Sequence, residues 1–235
     1  WWVDKHNQHH AHPNQEDLDP DIDIPFIAFT QQAALEKRGI LRFVVKHQRL
    51  FFFPLLLFEA YSLRAGSLGF LMTRKDWKHR GIENLLMILH FAWYFTLIFA
   101  TLGWGLGLAF ILLHQALFGL YMASVFAPNH KGMLVLRKDE VIDFLRLQVL
   151  TARNVKAHPI TDFWYGGLNY QIEHHLFPTL ARNKLREAQK IVRQFCNDLE
   201  ISYYETSMFH SYVEILDYLH EVSAVLRVRK LGMGN

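Results

Sequence analysis

Cysteine is almost missing from this chain: Cys196 is the only one. No disulfide can close within the chain, and a metal site here can draw on one thiolate at most. Excess charge is missing too. A net charge of +3 over 235 residues excludes the strongly basic footprint of a nucleic-acid binder. The front of the chain has no Met, no charged leader and no signal-type apolar core; Trp1 and Trp2 read as the middle of an element, so we expect a fragment whose N-terminal part lies upstream. There is no internal repeat, and no segment reads as a flavin or nicotinamide site.

The longest absence is of charge altogether. No Asp, Glu, Lys or Arg occurs in the 45 residues from Asn84 to Pro128. A membrane-crossing helix needs about 20 apolar residues, so two fit, about 85–102 and about 104–127. Turn-forming residues between Thr101 and Gly105 make them a tight hairpin. Arg74, Lys75, Lys78 and Arg80 precede the hairpin, and Lys131, Arg137 and Lys138 follow it. Its tip carries no charge, so both ends are expected on the cytoplasmic side.

A second apolar stretch, 51–72 (FFFPLLLFEAYSLRAGSLGFLM), holds Glu59 and Arg64 near its middle. A charge at the bilayer centre costs about 2.5–3.5 kcal/mol on insertion scales. Pro54 and two glycines weaken a spanning helix further, so this segment is expected to be interfacial or partly re-entrant. The acidic loop 15–25 (QEDLDPDIDIP) lacks the glycine and terminal glutamate of a calcium loop, which excludes that ion. Residues 30–48 are expected to form a helix. Over 181–199, Leu185, Ala188, Ile191, Val192, Phe195 and Leu199 form one apolar stripe, the mark of an amphipathic helix. A similar helix is expected over about 209–228, with Val213, Leu216, Leu219 and Val222 on its stripe. The basic tail RVRK at 227–230 is expected to touch anionic lipid or keep the end soluble.

Histidine is what the chain has in abundance, with fourteen. In HNQHH, His6, His9 and His10 are spaced to share one helix face. In QIEHH, Gln171 stands three and four residues before His174 and His175, the same geometry with an amide in first place. With the segment 51–72 lying flat, the two hairpin crossings return both clusters to one side of the membrane. Imidazole suits zinc, copper, iron and nickel. Converging imidazoles without cysteine point to a redox metal or a metalloenzyme, not a structural zinc site.

HNQHH followed by PN, the FAPNHKGM run closing the second membrane helix, and GGLNYQIEHHLFP together resemble the integral-membrane fatty acid desaturases. The resemblance is to the branch with Gln in its third histidine box, which includes front-end and bacterial acyl desaturases, and it covers essentially the whole chain. It implies an all-α membrane protein with a cytosolic helical cap over two non-haem irons, and a partial desaturase domain over 1–235. It implies a second histidine box at His6, His9 and His10, and a third at Gln171, His174 and His175. His130 takes the place of an extra ligand after the membrane helix. The family's first box and first membrane hairpin are expected upstream. The five box histidines carry the catalysis in this reading, and all seven residues the metal. Asp4, Asp162 and Glu173 are candidates to orient the rings. The chemistry implied is O2-dependent insertion of a double bond into an acyl chain. The acyl group would be carried on CoA, carrier protein or lipid, with electrons from ferredoxin, cytochrome b5 or a flavin reductase. A hydroxylase on the same centre, or a non-catalytic membrane metal-binding protein, are the competing readings. The paired histidines flank the hairpin instead of lining a pore, which argues against transport.

Overall fold

The computed structural model describes residues 1–227; the lipid contact expected of 228–230 lies outside them. The chain is mostly helical. In order it forms α1 (Trp2–Ala11), α2 (Gln31–Glu36), α3 (Gly39–Lys46), α4 (Gln48–Leu56), α5 (Glu59–Thr73), α6 (Arg80–His130), α7 (Phe144–Leu150), β1 (Asn154–Val155), α8 (Pro159–Tyr165), α9 (Gln171–Leu176), α10 (Leu185–Asp198), β2 (Glu205–Thr206) and α11 (Met208–Val222). It divides into two compact units. One holds Trp1–Asp4 and Phe53–Ser124, the other Lys5–Phe52 and the chain from Val125 onward.

In the first unit, α6 is the one described helix long and apolar enough to cross a membrane. Only 11% of its most apolar window is buried, so its apolar side chains face outward, unlike those of a soluble core helix. Gly103 interrupts it with φ +69° and ψ −179°, a conformation open to glycine and strained for other residues. The two arms fold back along each other there. Tyr94 O–H donates to His114 Nδ1 at 2.8 Å, and Gln115 Nε2 donates to Tyr94 Oη at 3.0 Å, across 20 and 21 positions. These bonds tie polar groups of the two apolar arms together. Gly119 makes a close approach possible: a Cβ there would sit 2.9 Å from Leu56 O and 3.0 Å from Ala60 N. The stretch 51–72 is split between α4 and α5, which meet at a 73° bend. Arg64 Nη1 turns back to Ala60 O at 3.1 Å, and its guanidinium lies over the Phe118 ring.

The second unit is built around small apolar clusters. Val149 of α7, Ile172 of α9, and Val192 and Cys196 of α10 form one; Ala34, Val45, Val222 and Leu226 form another. β1 and β2 add a two-residue parallel ladder, Asn154 beside Glu205 and Val155 beside Thr206, to a chain expected to be purely helical. Three expected helices differ in detail. The one over 30–48 breaks at Lys37 and Arg38, whose extended backbones end α2 and cap α3. The one over 181–199 starts as a regular helix at Leu185, and its buried face is Leu185, Gln189, Val192 and Cys196. Ile191 is 73% exposed; Gln189 turns inward instead because its Nε2 donates to Glu205 Oε1 at 3.0 Å. The last helix ends at Val222, followed by a short tight turn of helix to Leu226. It buries Ile215, Leu219 and Val222 but leaves Val213 exposed.

Candidate metal centre

Adjacent residues on an α-helix point about 100° apart. Both His-His pairs use this to serve two places at once. On α1, His10 joins His6 one turn earlier, while His9 faces elsewhere. On α9, His174 and His175 diverge in the same way. Two groups result, both within the second unit: His6, His10 and His174, half-buried, and His9, His130 and His175, fully buried. In each group one ligand atom per residue lies within 4.8 Å of the others. The groups abut, for the His10 and His175 rings stack at 4.2 Å between centroids.

The rotation of α9 is set by its other residues. Ile172 is buried in the apolar cluster with Val149 and Val192. Glu173 is buried as well, accepting from Asn154 Nδ2 at 2.7 Å and Tyr203 O–H at 2.8 Å. Burial raises the Glu173 carboxyl above the ordinary range, against those two hydrogen bonds. The short helix is therefore locked with His174 toward one group and His175 toward the other. Asp162 is engaged elsewhere too, accepting from Asn169 Nδ2 and Tyr170 O–H. Neither carboxylate makes the ring contact expected of it.

Other groups hold the rings. His9 Nδ1 donates to the Asp19 carboxylate at 2.9 and 3.0 Å. Asp19 is itself buried and accepts backbone N–H bonds from Asn14 and Asp21. His130 Nδ1 donates to Thr151 O at 3.0 Å, and His175 Nδ1 to Gln148 Oε1 at 2.9 Å. Each proton fixed on Nδ1 leaves the Nε2 lone pair of that ring free to point inward. His9 Nε2 and His130 Nε2 face each other at 3.3 Å. In the other group His10 Nε2 lies 3.1 Å from His6 Nε2 and 3.2 Å from His174 Nε2.

Two nitrogens bound to one ion at about 2.1 Å, at right-angle to tetrahedral spread, stand about 3.0–3.4 Å apart. All three observed spacings fall in that interval. His175 Nε2 is buried with no hydrogen-bond partner among the described residues. A buried, orphaned nitrogen is costly in an apolar setting and natural beside a metal. The donor set fits a pair of divalent redox ions.

The rings also have the right charge for the task. Burial, followed by the neighbouring His6 and His174, pushes His10 down to about 3. Burial, followed by His6 and then Arg182, pushes His174 down to about 4. Burial lowers His6 as well, and holds His175 far below its ordinary value with help from His130. These rings are neutral at physiological pH, the form that binds metals.

All seven expected site residues are brought together, but Gln171 has a particular orientation. Asn129 Nδ2 donates to Gln171 Oε1 at 3.1 Å, so Gln171 presents its NH2 to His130 Nε2 at 2.9 Å. His12 points away, with Nδ1 at 3.1 Å from Gln15 Oε1. His90 and His114 belong to the other unit. Just before the third cluster, Tyr165 is buried and Trp164 is 40% exposed. Asp19 and Gln148 were not singled out from sequence. Asp19 lies in the loop 15–25, and its only sequence signal is a carboxylate within ten residues of a histidine cluster. Gln148, a lone glutamine in an apolar helix, gives no signal.

The family model described as "Fatty acid desaturase" matches residues 1–207. The chain is 33% identical to "Delta(6)-fatty-acid desaturase fat-3" of Caenorhabditis elegans, over 97% of this chain and 55% of that one. It is 33% identical to "Acyl-lipid (9-3)-desaturase" of Physcomitrium patens, over 95% and 44%. It is 27% identical to "Delta 8-(E)-sphingolipid desaturase" of Emericella nidulans, over 97% and 45%. The chain spans about half the length of these curated relatives. No solved structure matches it.

Proposed function

The chain belongs to the fatty acid desaturase family, and on that premise we propose that it carries the metal-holding part of an O2-dependent acyl desaturase. The single observation that carries this reading is the convergence of His6, His9, His10, His130, His174 and His175 into two abutting groups with facing nitrogens. Gln171, expected as a ligand, stands beside the centre as a hydrogen-bond donor, because its amide oxygen is taken by Asn129 and its NH2 faces His130. Two non-haem irons, when bound, supply the oxidising power that removal of hydrogen from an unactivated C–H bond demands. The balanced change is loss of two hydrogens from neighbouring carbons while O2, two electrons and two protons become two waters.

The residues of this chain do the holding. Asp19, Thr151 O and Gln148 keep the Nδ1 protons of His9, His130 and His175, so those rings stay in one tautomer and one orientation. Burial of His9, His130 and His175 excludes water on one side. The half-buried group of His6, His10 and His174 is the side from which an acyl chain and oxygen reach the centre. With α6 folded back at Gly103, both flanks of the hairpin lie on one face of a membrane. We place the histidines on the cytosolic face, as the cap of a multi-pass protein of which residues 1–235 form part of the desaturase domain. Electrons come from a separate donor protein of ferredoxin, cytochrome b5 or flavin-reductase type. The names of three relatives carry Delta(6), Delta 8 and Delta(5), and we propose a front-end position for the double bond here.

Fatty-acid profiling of a host expressing the intact protein tests this. A new acyl species lighter by two hydrogens, dependent on O2, is the expected result. A species heavier by one oxygen indicates a hydroxylase, and unchanged lipids in the presence of bound iron indicate a non-catalytic metal protein.

A further inference from the structure

The seven residues from Gln148 to Asn154 contain no histidine, yet they reach every segment that contributes one. Thr151 O accepts His130 Nδ1. Arg153, 1% exposed, holds the backbone on either side of His130: Nε donates to Pro128 O and Nη2 to Lys131 O, both at 2.5 Å. Asn154 accepts Ile172 N–H at 2.9 Å and donates to Glu173, fixing α9. Gln148 makes the most telling pair of contacts. Its Oε1 accepts His175 Nδ1–H at 2.9 Å, and its Nε2 donates to His10 O at 3.1 Å, across 138 positions. One fully buried amide thereby joins the helix of the first histidine cluster to a ring of the second. Val149 beside it is packed in the apolar cluster with Ile172, which fixes the rotation of α7 and aims Gln148 at the rings.

We propose that Gln148 is a positioning residue of the metal centre, setting the tautomer and orientation of the His175 ring. The proposal rests on the reading of the histidines as metal ligands. Nδ1–H donation to the amide oxygen is what leaves the orphaned His175 Nε2 as a lone pair inside the buried group. With an apolar residue at 148, Nδ1 loses its acceptor, the other tautomer becomes accessible, and the ring is free to turn.

The test uses the intact protein, purified without metal and titrated anaerobically with ferrous iron, reading iron per chain and the ligand-field spectrum. Wild type binds two irons. Gln148→Leu, close in size, holds one of the two about ten- to a hundredfold more weakly, with its ligand-field bands shifted and the other iron unchanged. Gln148→Glu keeps an acceptor for His175 Nδ1 and restores both affinity and spectrum. A purely packing role predicts the opposite pattern, with Glu at least as damaging as Leu. Wild-type iron binding and spectrum in Q148L overturn the proposal, as does weak iron binding by a folded Q148E; the Glu variant carries the test if Q148L does not fold. Failure of wild type to bind iron overturns the ligand reading itself, and this proposal with it.

Discussion

His9 Nε2 and His130 Nε2 stand 3.3 Å apart, although 121 positions of sequence separate them. Each ring has its other nitrogen tied to a fixed acceptor, Asp19 for one and Thr151 O for the other. Gln171 Nε2 also reaches His130 Nε2, at 2.9 Å, so an ion drawn to this nitrogen competes with that hydrogen bond. A metal held by these rings would bind the folded chain and not the unfolded one, and would so stabilise the fold around it.

Asp19→Asn follows directly from that pair. The amide keeps the shape of the carboxylate but removes the charge that favours the Nδ1 proton of His9. Iron affinity is expected to drop about ten- to a hundredfold, with helix content unchanged. Equilibrium iron titration alongside circular dichroism checks it; an unaltered affinity would show that Asp19 serves the loop alone.

Acid should weaken the metal-free protein in a defined window. In the unfolded chain histidine takes up a proton below about 6.5, whereas His10 and His174 resist until about 3 and about 4 in the fold. Between those limits the unfolded chain binds more protons, so stability falls as pH drops from about 6.5 towards about 3 and levels off below. Thermal unfolding of metal-free protein at a series of pH values should show this decline, and added iron should move its onset to lower pH. A midpoint that is flat from pH 7 to pH 4 would contradict it.

Arg153→Met removes a fully buried cation from Glu214 Oε2 at 2.5 Å and from the two carbonyls that bracket His130. Breaking a buried pair of this kind costs about 3–5 kcal/mol. The variant is expected to unfold at clearly lower temperature or denaturant and to lose iron as it does so. A change within the error of the unfolding measurement would show that the clamp contributes little.

Gly119→Leu puts a side chain where backbone atoms of the bend between α4 and α5 already stand within 3.1 Å. Overpacking of this order costs about 1–3 kcal/mol. Lower yield and a lower melting temperature in detergent are expected for Gly119→Leu, with Gly105→Leu as a control, because a Cβ at 105 meets nothing within 4 Å. Equal behaviour of the two variants would mean the close approach is not a real constraint.

Much of the frame was legible because it rests on local rules. A charge-free run with glycines at its centre dictates a folded-back helix, and His-x-x-His-His spacing brings His6 and His10 together, although His9, expected on the same face, joins the other group. The splitting of each His-His pair between two groups follows from the helix turn, but the pairing of one group with another needs the tertiary fold. What holds the rings was not legible. Asp162 and Glu173 are near the third cluster in sequence yet spend their carboxylates on Asn169, Tyr170, Asn154 and Tyr203. Asp19 and Gln148 do the holding because loop 15–25 and α7 fold back over the rings, a long-range event with no local pattern. The buried face of α10 was misassigned for a related reason: Gln189 has an internal partner in Glu205, while Ile191 has none and stays outside.

Iron stoichiometry in three forms of the intact protein tests the two-group arrangement most directly. Wild type should hold two irons per chain, and His10→Ala and His130→Ala should each hold no more than one, from opposite groups, with distinct residual ligand-field spectra. Two tightly held irons in either variant, or the same residual spectrum in both, would contradict two separate histidine groups.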